Sequence, residues 1–472
     1  MNKNFRTNLP DWSAAVPLLP EAGPRRVALY REIRRLIEEG ALPPGAKLPT
    51  TRDLAGRFGL ARGAAVAAYE MLVADGFAEA RVGAGTYVAR NVPVGVRALP
   101  SHGRRGSNAT GPLPGALGCS AADERTLNVF RTLLNRHLAR PDPRHYHYGA
   151  AAGGADLRGE IAAYLRTARG VHCSADQVIV TAGTQAGLDL VIRTLLKPGE
   201  AIWVENPCYT MARRAFAAAG LSLVGIPVDA EGMDVKRAIL SAPQARAAYI
   251  TPSHQFPLGV TLSMARRLAL IDWARRADAY IIEDDYDSEY RFSGPPLASL
   301  QGIDVHGRVI YTGTFSKVLM PGFRVGYLVA PPGLVEPLLE TRALTDRFPS
   351  TLAEGAIAEL LREGHFAAHI RRARRRAREA RDRLVEALFG SGLAITPPDQ
   401  GLHLVADLPE GVEDAAFPAL AAETGFGVRA LSPMYLPSAD GLARQGLVIG
   451  FSGFAPDVLA EAARRFAAVL RF

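Results

Sequence analysis

The sequence predicts an α/β body built on a mainly parallel sheet, with a winged helix-turn-helix joined to its N-terminus. Three observations predict it. Beyond the first 122 residues, and up to about residue 330, short apolar strands alternate with helical segments, as in 178–181 then 185–196, and 201–205 then 211–219. That alternation favours parallel strands covered on both faces. Residues 1–90 hold three helical segments and a glycine-centred hairpin. Between them, 91–122 is rich in Pro, Gly and Ser and reads as a flexible linker, leaving 123–472 as the body.

In the N-terminal module the segment 27–39 puts Leu29, Ile33, Leu36 and Ile37 on one helical face, and Gly40 stops it. Leu42-Pro43-Pro44-Gly45 is a turn. A second helix starts at Thr50, a hydroxyl cap with Asp53 three residues on, and Gly59 ends it. A third covers 62–75, with Val66, Tyr69, Met71 and Leu72 as its apolar stripe. Segments 78–82 and 86–89 flank Gly83-Ala84-Gly85 as a short hairpin, the wing. The third helix is the one expected in a major groove, so Arg62 at its start is the candidate base reader. Thr51 and Arg52 open the second helix and are placed for phosphates, and Arg81 and Gly83 place the wing against the backbone or minor groove.

Charge agrees. Residues 1–105 contain 16 Lys/Arg against 9 Asp/Glu, seven of the chain's eight net positive charges. A basic module on a near-neutral body fits double-stranded DNA as partner. Cys119, Cys173 and Cys208 are scattered, odd in number and without metal-ligand spacing, so a reduced cytoplasm and no metal are expected. No apolar run is long enough to span a bilayer, so no membrane partner is expected.

The body carries a second chemistry. Lys317 follows the apolar strand 309–311 in Gly313-Thr314-Phe315-Ser316-Lys317. Asp284 lies 33 residues upstream, in Glu283-Asp284-Asp285-Tyr286, at the end of another apolar strand. Pyridoxal 5'-phosphate (PLP) needs both: an amine for the Schiff base, and a carboxylate to keep the pyridine nitrogen protonated. Lys317 is therefore the candidate catalytic residue. Gly183, Thr184 and Gln185 join a strand to a helix and can face a phosphate with free N–H groups. Arg324 adds a bidentate charge, and Thr314 and Ser316 add hydroxyls. Tyr286 is the candidate donor to the phenolic oxygen, and Tyr209 the candidate ring stacker. The loop 251–259 lies on the same rim of the sheet, where open α/β sheets bind ligands.

Two sets of motifs carry a resemblance. Leu48-Pro49-Thr50-Thr51-Arg52-Asp53-Leu54-Ala55, Tyr69-Glu70-Met71-Leu72 and Gly83-Ala84-Gly85-Thr86-Tyr87-Val88 resemble the GntR family of bacterial regulators. The runs 204–209, 251–259, 282–290 and 313–317 resemble fold-type I aminotransferases, and together the chain resembles the MocR branch of the GntR regulators. The resemblance implies an aldimine at Lys317 and a homodimer in which one subunit's head sits by the other's body. Three departures matter. Ala61, Gly63 and Ala64 stand where GntR recognition helices carry Ser, Asn and Thr. Phe256 stands where aminotransferases have Asn before the Pro of this loop, leaving His254 or Gln255 to take its contact. The strand 446–451 lacks the arginine that usually grips a substrate carboxylate, leaving Arg429 or Arg444, with Tyr435 as a pocket wall.

The expected function is transcription regulation by a PLP-dependent, DNA-binding protein that senses an amine or amino-acid-like effector through an external aldimine, the aminotransferase-like fold serving to sense rather than to turn over. A working aminotransferase and a sensor of PLP level are the alternatives. The run 371–383, with eight arginines and little apolar stripe, reads as a solvated helix, with contact to DNA phosphates as the other reading.

Overall fold

The computed structural model describes residues 24–92, 111–119, 122–140, 143–294, 297–437 and 443–472. The chain divides into two compact units, 1–109 and 110–472, each considered by itself.

The first unit contains α1 (Arg25–Glu38), α2 (Thr51–Arg57), α3 (Arg62–Ala74) and the hairpin β1 (Ala78–Arg81) with β2 (Gly85–Val88). Thr50 caps α2: its Oγ1 accepts from the Asp53 N–H at 3.1 Å and donates to the Asp53 carboxylate at 2.7 Å. The hairpin register pairs Ala78 with Val88 and Arg81 with Gly85. The core gathers Leu29, Ile33, Leu54, Leu72 and Val88 around α3. On α3 the buried face is Ala65, Ala68, Tyr69 and Leu72, whereas Val66 and Met71 are only half-buried. The expected stripe was one step off because the inward positions are alanines, which pack closely but carry little hydrophobic signal.

In the second unit an eight-stranded sheet has the order β3-β10-β9-β8-β7-β4-β5-β6. Its strands are β3 (Val178–Thr181), β4 (Ala201–Asn206), β5 (Ser222–Asp229), β6 (Gly232–Met233), β7 (Ala247–Ile250), β8 (Tyr280–Asp285), β9 (Val309–Thr314) and β10 (Gly326–Val329). The run β5-β4-β7-β8-β9 is parallel, while β10 is antiparallel to both neighbours and β6 to β5. The central strands are apolar on both faces because helices cover both. A four-stranded antiparallel sheet follows, of β11 (Ala394–Ile395), β12 (His403–Asp407), β13 (Arg429–Ala430) and β14 (Gly446–Gly450), in the order β11-β12-β14-β13.

The helices are α4 (Glu124–Ala139), α5 (Ala155–Arg169), α6 (Thr184–Leu195), α7 (Thr210–Ala218), α8 (Val235–Ser241), α9 (Met264–Arg276), α10 (Pro332–Ala343), α11 (Glu354–Arg362), α12 (His365–Leu388), α13 (Phe417–Glu423) and α14 (Pro456–Val469). None of the described helices is long and apolar enough to cross a membrane. The arginine-rich α12 corrects the sequence reading. It does have an apolar stripe, formed by Phe366, Ile370, Ala373, Ala377, Ala380, Leu384 and Leu388. Alanines at mid-helix spacing let α14 approach closely, and Arg372 pairs with Asp123 at 2.8 Å and Arg383 with Asp457 at 2.9 Å.

Of the stretch expected as a linker, residues 93–110, 120 and 121 lie outside the described residues. Residues 111–119 are held along the four-stranded sheet: the Gly427 N–H donates to the Pro114 carbonyl at 2.7 Å and the Gly450 N–H to the Gly115 carbonyl at 2.8 Å. Gly115 has φ +95°, and a Cβ there would meet the Gly427 oxygen and the Phe426 ring.

Candidate functional site

The parallel strands end on one rim, and their last residues set the site. The acidic run at the end of β8 is divided among three tasks by strand geometry. Glu283 accepts the N–H groups of Leu300 and Gln301 at 2.8 and 2.9 Å. Asp285 pairs with Arg169 at 2.7 Å in a buried bridge. Asp284, between them, points to the opposite face of the sheet and, among the described residues, accepts only hydroxyls, from Tyr249 at 2.6 Å and Thr312 at 3.2 Å. A buried carboxylate with no cation partner is costly, and burial pushes the Asp284 carboxyl up to about 6.

Lys317 follows β9 into the same cavity, of about 260 Å³, whose walls include Thr184, Tyr209, Asp284, Tyr286, Thr314 and Arg429. Burial lowers the Lys317 pKa, with Arg429 adding to the effect and Asp284 and Asp287 opposing it. The amine is therefore neutral, and so nucleophilic, more often than a surface lysine. Leu117 and Gly118 close another side. Gly118 has φ +79°, and a Cβ on it would stand 2.7 Å from Lys317 Nζ. The left-handed backbone there favours glycine.

At the N-terminus of α6, Gly183 has φ +91°, and a Cβ on it would lie 3.3 Å from Arg324 Nη1. The guanidinium therefore lies against the first turn of a twelve-residue helix whose leading N–H groups lack helical partners. Ser316 lies two residues past the end of β9, its N–H donating to Thr314 Oγ1 at 3.1 Å, and is not on the cavity wall. Gln185 is turned away, donating to the Met211 carbonyl at 3.3 Å. Thr184 at that helix start, the buried Asp284 carboxylate and the Lys317 amine line one cavity, and Arg324 lies against the same helix start, a donor set that fits PLP.

Several expected contacts are not on the cavity wall. Gln255 Nε2 is taken up by the Pro207 and Phe256 carbonyls at 2.9 and 2.7 Å, and its Oε1 by the Leu258 N–H at 3.0 Å. His254 lies behind Tyr286. Tyr435 lies outside the cavity wall, and Arg444 is bound bidentately to Asp407 at 2.6 Å. Arg429 does reach the site, because β13 pairs with β14 and sets Arg429 opposite Val448. The neighbouring strand thus supplies a guanidinium beside the strand that lacks one. Sequence reasoning missed Tyr249, Thr312, Thr251 and His403, whose places depend on which strands are neighbours.

In the head, Arg52 and Arg62 are exposed at the starts of α2 and α3 with no ion pair among the described residues, and Thr51 is half-buried. Arg81 stacks over the Tyr87 ring at 4.5 Å, which fixes the wing side chain next to exposed Gly83.

A pH dependence follows. Burial pushes Glu205 and Glu283 up to about 7, and Asp284 to about 6. A carboxyl that binds its proton more tightly when folded contributes stability that is complete below its unfolded pKa and lost as pH rises through the folded one. The cofactor-free body is expected to melt at a lower temperature near pH 8 than near pH 5 on this account. Loading with PLP should narrow the gap by giving Asp284 a cation. Melting curves across pH, with and without PLP, check it.

Residues 123–464 match the family described as aminotransferase class I and II, and residues 25–88 match bacterial regulatory proteins, gntR family. The chain is 36% identical over 460 residues to the probable rhizopine catabolism regulatory protein MocR of Rhizobium meliloti, covering 93% of this chain and 92% of that one. It is 34% identical over 437 residues to the HTH-type pyridoxine biosynthesis transcriptional regulator PdxR of Corynebacterium glutamicum, covering 91% and 92%. The solved structure of Pyrococcus horikoshii kynurenine aminotransferase is similar with a TM-score of 0.69 at 28% identity, over 76% of this chain and 91% of that one. A helix-turn-helix head and an aminotransferase-like body in one chain, matched along nearly its whole length, place this protein in the MocR-type branch of the GntR family of regulators.

Proposed function

We propose that this protein is a DNA-binding transcription regulator whose PLP-holding body senses a primary amine that also carries an anionic group. The cofactor is pyridoxal 5'-phosphate, which when bound supplies an aldehyde carbon open to reversible exchange between amines and a ring nitrogen that attracts a carboxylate. The single observation that carries the reading is the shared cavity of Lys317, Asp284 and Arg429. Asp284 holds the cationic ring edge. Arg324 and the start of α6 hold the phosphate, with Thr184, Thr314 and Ser316 as hydroxyl donors. Lys317 is the amine against which an effector competes, and Arg429 is free to take the effector's carboxylate or sulfonate. Tyr209 packs edge-on to Phe256 with ring centroids 5.7 Å apart, which supports a stacking face above the site.

The head reads the operator through Arg62, with Thr51, Arg52, Arg81 and Gly83 on the phosphates and groove edge. A homodimer in which each head works beside the partner's body is part of the proposal. Tyr146 and Tyr148, 73% and 76% exposed, offer aromatic surface of the kind a second copy covers. The protein acts where its DNA is, in the cytoplasm. The aminotransferase fold is present, and Lys317 with Asp284 keeps the amine and carboxylate that turnover requires, so catalysis is the second reading.

The test uses the loaded full-length protein and DNA from upstream of its own and adjoining genes. Retardation of one fragment, altered by an amino acid or aminosulfonate without release of a keto product, supports sensing. Steady keto-acid production with no change on DNA would overturn it.

A further inference from the structure

A buried pair lies behind the site and has no part in the reading above. His254 and Asp287 are 2% and 1% exposed. His254 Nδ1 is 2.9 Å from Asp287 Oδ2 and 3.1 Å from the Tyr286 hydroxyl, which also donates to the His254 carbonyl at 3.0 Å. Asp287 receives a further backbone N–H, from Leu402. A carboxylate can only accept here, so the hydrogen-bond network assigns the ring proton to Nδ1. The other ring nitrogen, Nε2, has no hydrogen-bond partner among the described residues. A Cβ at Gly259 would stand 3.2 Å from Nε2, and one at Gly401 would collide with the ring itself. Two glycines thus let the backbone close around an imidazole that is held in one orientation.

The rim of the cavity lacks an amide at the same place. Phe256 presents a ring there, 6.0 Å from that of Tyr286 and close to perpendicular to it. Gln255 is fully engaged with its own loop. Tyr286 therefore offers a hydroxyl on that side of the cavity.

We propose that Asp287 and His254 are positioning residues for Tyr286: the Nδ1–H, shared between the Asp287 carboxylate and the Tyr286 oxygen, and the His254 carbonyl, which accepts the tyrosine's proton, fix the phenol at the point from which that proton turns to a phenolic oxygen when one occupies the cavity. This rests on the reading of the cavity as a PLP site. The pair does structurally what an amide at position 256 would do, but through an intermediate side chain. The titratable groups facing it are Asp284 and Asp285 of β8, Glu205 at the end of β4, His403 on β12 and Lys317 after β9, and all remain in the variants below.

The experiment titrates the visible absorbance of the PLP-loaded protein against pH. A hydrogen bond to the ionised phenolic oxygen favours that form, so Tyr286→Phe should raise the midpoint by roughly one unit. His254→Gln should raise it by about half as much, and should add nothing in the Tyr286→Phe background, as expected of residues acting in one chain. Asp287→Asn enters the same cycle and decides the matter if His254→Gln does not fold. Additive shifts, or no shift in any single variant that folds, overturn the proposal. Stoichiometric zinc binding by the wild type that His254→Gln abolishes would also overturn it, assigning His254, Asp287 and His403, whose donor atoms lie within 4.8 Å of one another, to a cation instead. Borohydride trapping on wild-type Lys317 tests the cofactor reading separately. A trapped adduct with additive shifts sinks the pair alone, and no adduct sinks the cavity reading.

Discussion

Lys317→Ala is expected to remove both the visible absorbance of the loaded protein and every response of operator binding to amines, while leaving basal binding measurable. The argument is local. The half-buried Lys317 lines a cavity with Asp284 and Arg429, and burial lowers its pKa. Alanine removes the nucleophile without disturbing the strand, since β9 ends at Thr314 and the Phe315 N–H still donates to the Val325 carbonyl at 3.0 Å. Residues expected on DNA belong to the other compact unit. Absorbance and gel retardation, measured on the same preparation, check both halves. An effector response equal to wild type would break the link between this amine and regulation.

Asp284→Asn is expected to weaken PLP binding by about 100-fold or more, corresponding to about 3 kcal/mol. Two effects add. The variant loses the charge that faces the cationic ring nitrogen. It also misfits its own shell, because both carboxylate oxygens accept from hydroxyls, Tyr249 at 2.6 Å and Thr312 at 3.2 Å. An amide offers one acceptor and one donor group, so one of those hydroxyls must turn away or lose its partner, a cost of about 1–3 kcal/mol. Equilibrium dialysis of PLP measures the loss. Thermal melting of the cofactor-free variant separates it from misfolding: near pH 8 the relief of a buried charge offsets the hydroxyl mismatch, so that variant should melt close to wild type.

The parts of this protein that a one-dimensional reading captures are those set by local chemistry. Lys317 and Asp284 stand out because strand ends with those side chains have few other uses, and the Thr50–Asp53 cap and the wing glycines are turn chemistry written within a few residues. What it missed depends on neighbours distant in sequence. Nothing near Tyr249 marks it as the donor to Asp284; that follows only from β7 lying beside β8. The choice between Arg429 and Arg444, which the sequence left open, falls to Arg429 because β13 lies against β14, a pairing that neither strand announces. The apolar stripe of α12 was hidden by alanines, and Gln255 was overrated because the carbonyls that occupy it belong to a loop whose shape the sequence does not show.

The stretch 111–119 has a practical bearing. Leu117 and Gly118 wall the cavity, yet they precede the start of the aminotransferase match at residue 123. The smallest fragment able to enclose a ligand therefore begins upstream of the conventional boundary of its own fold, and the tether to the head ends as masonry of the binding chamber rather than as slack rope.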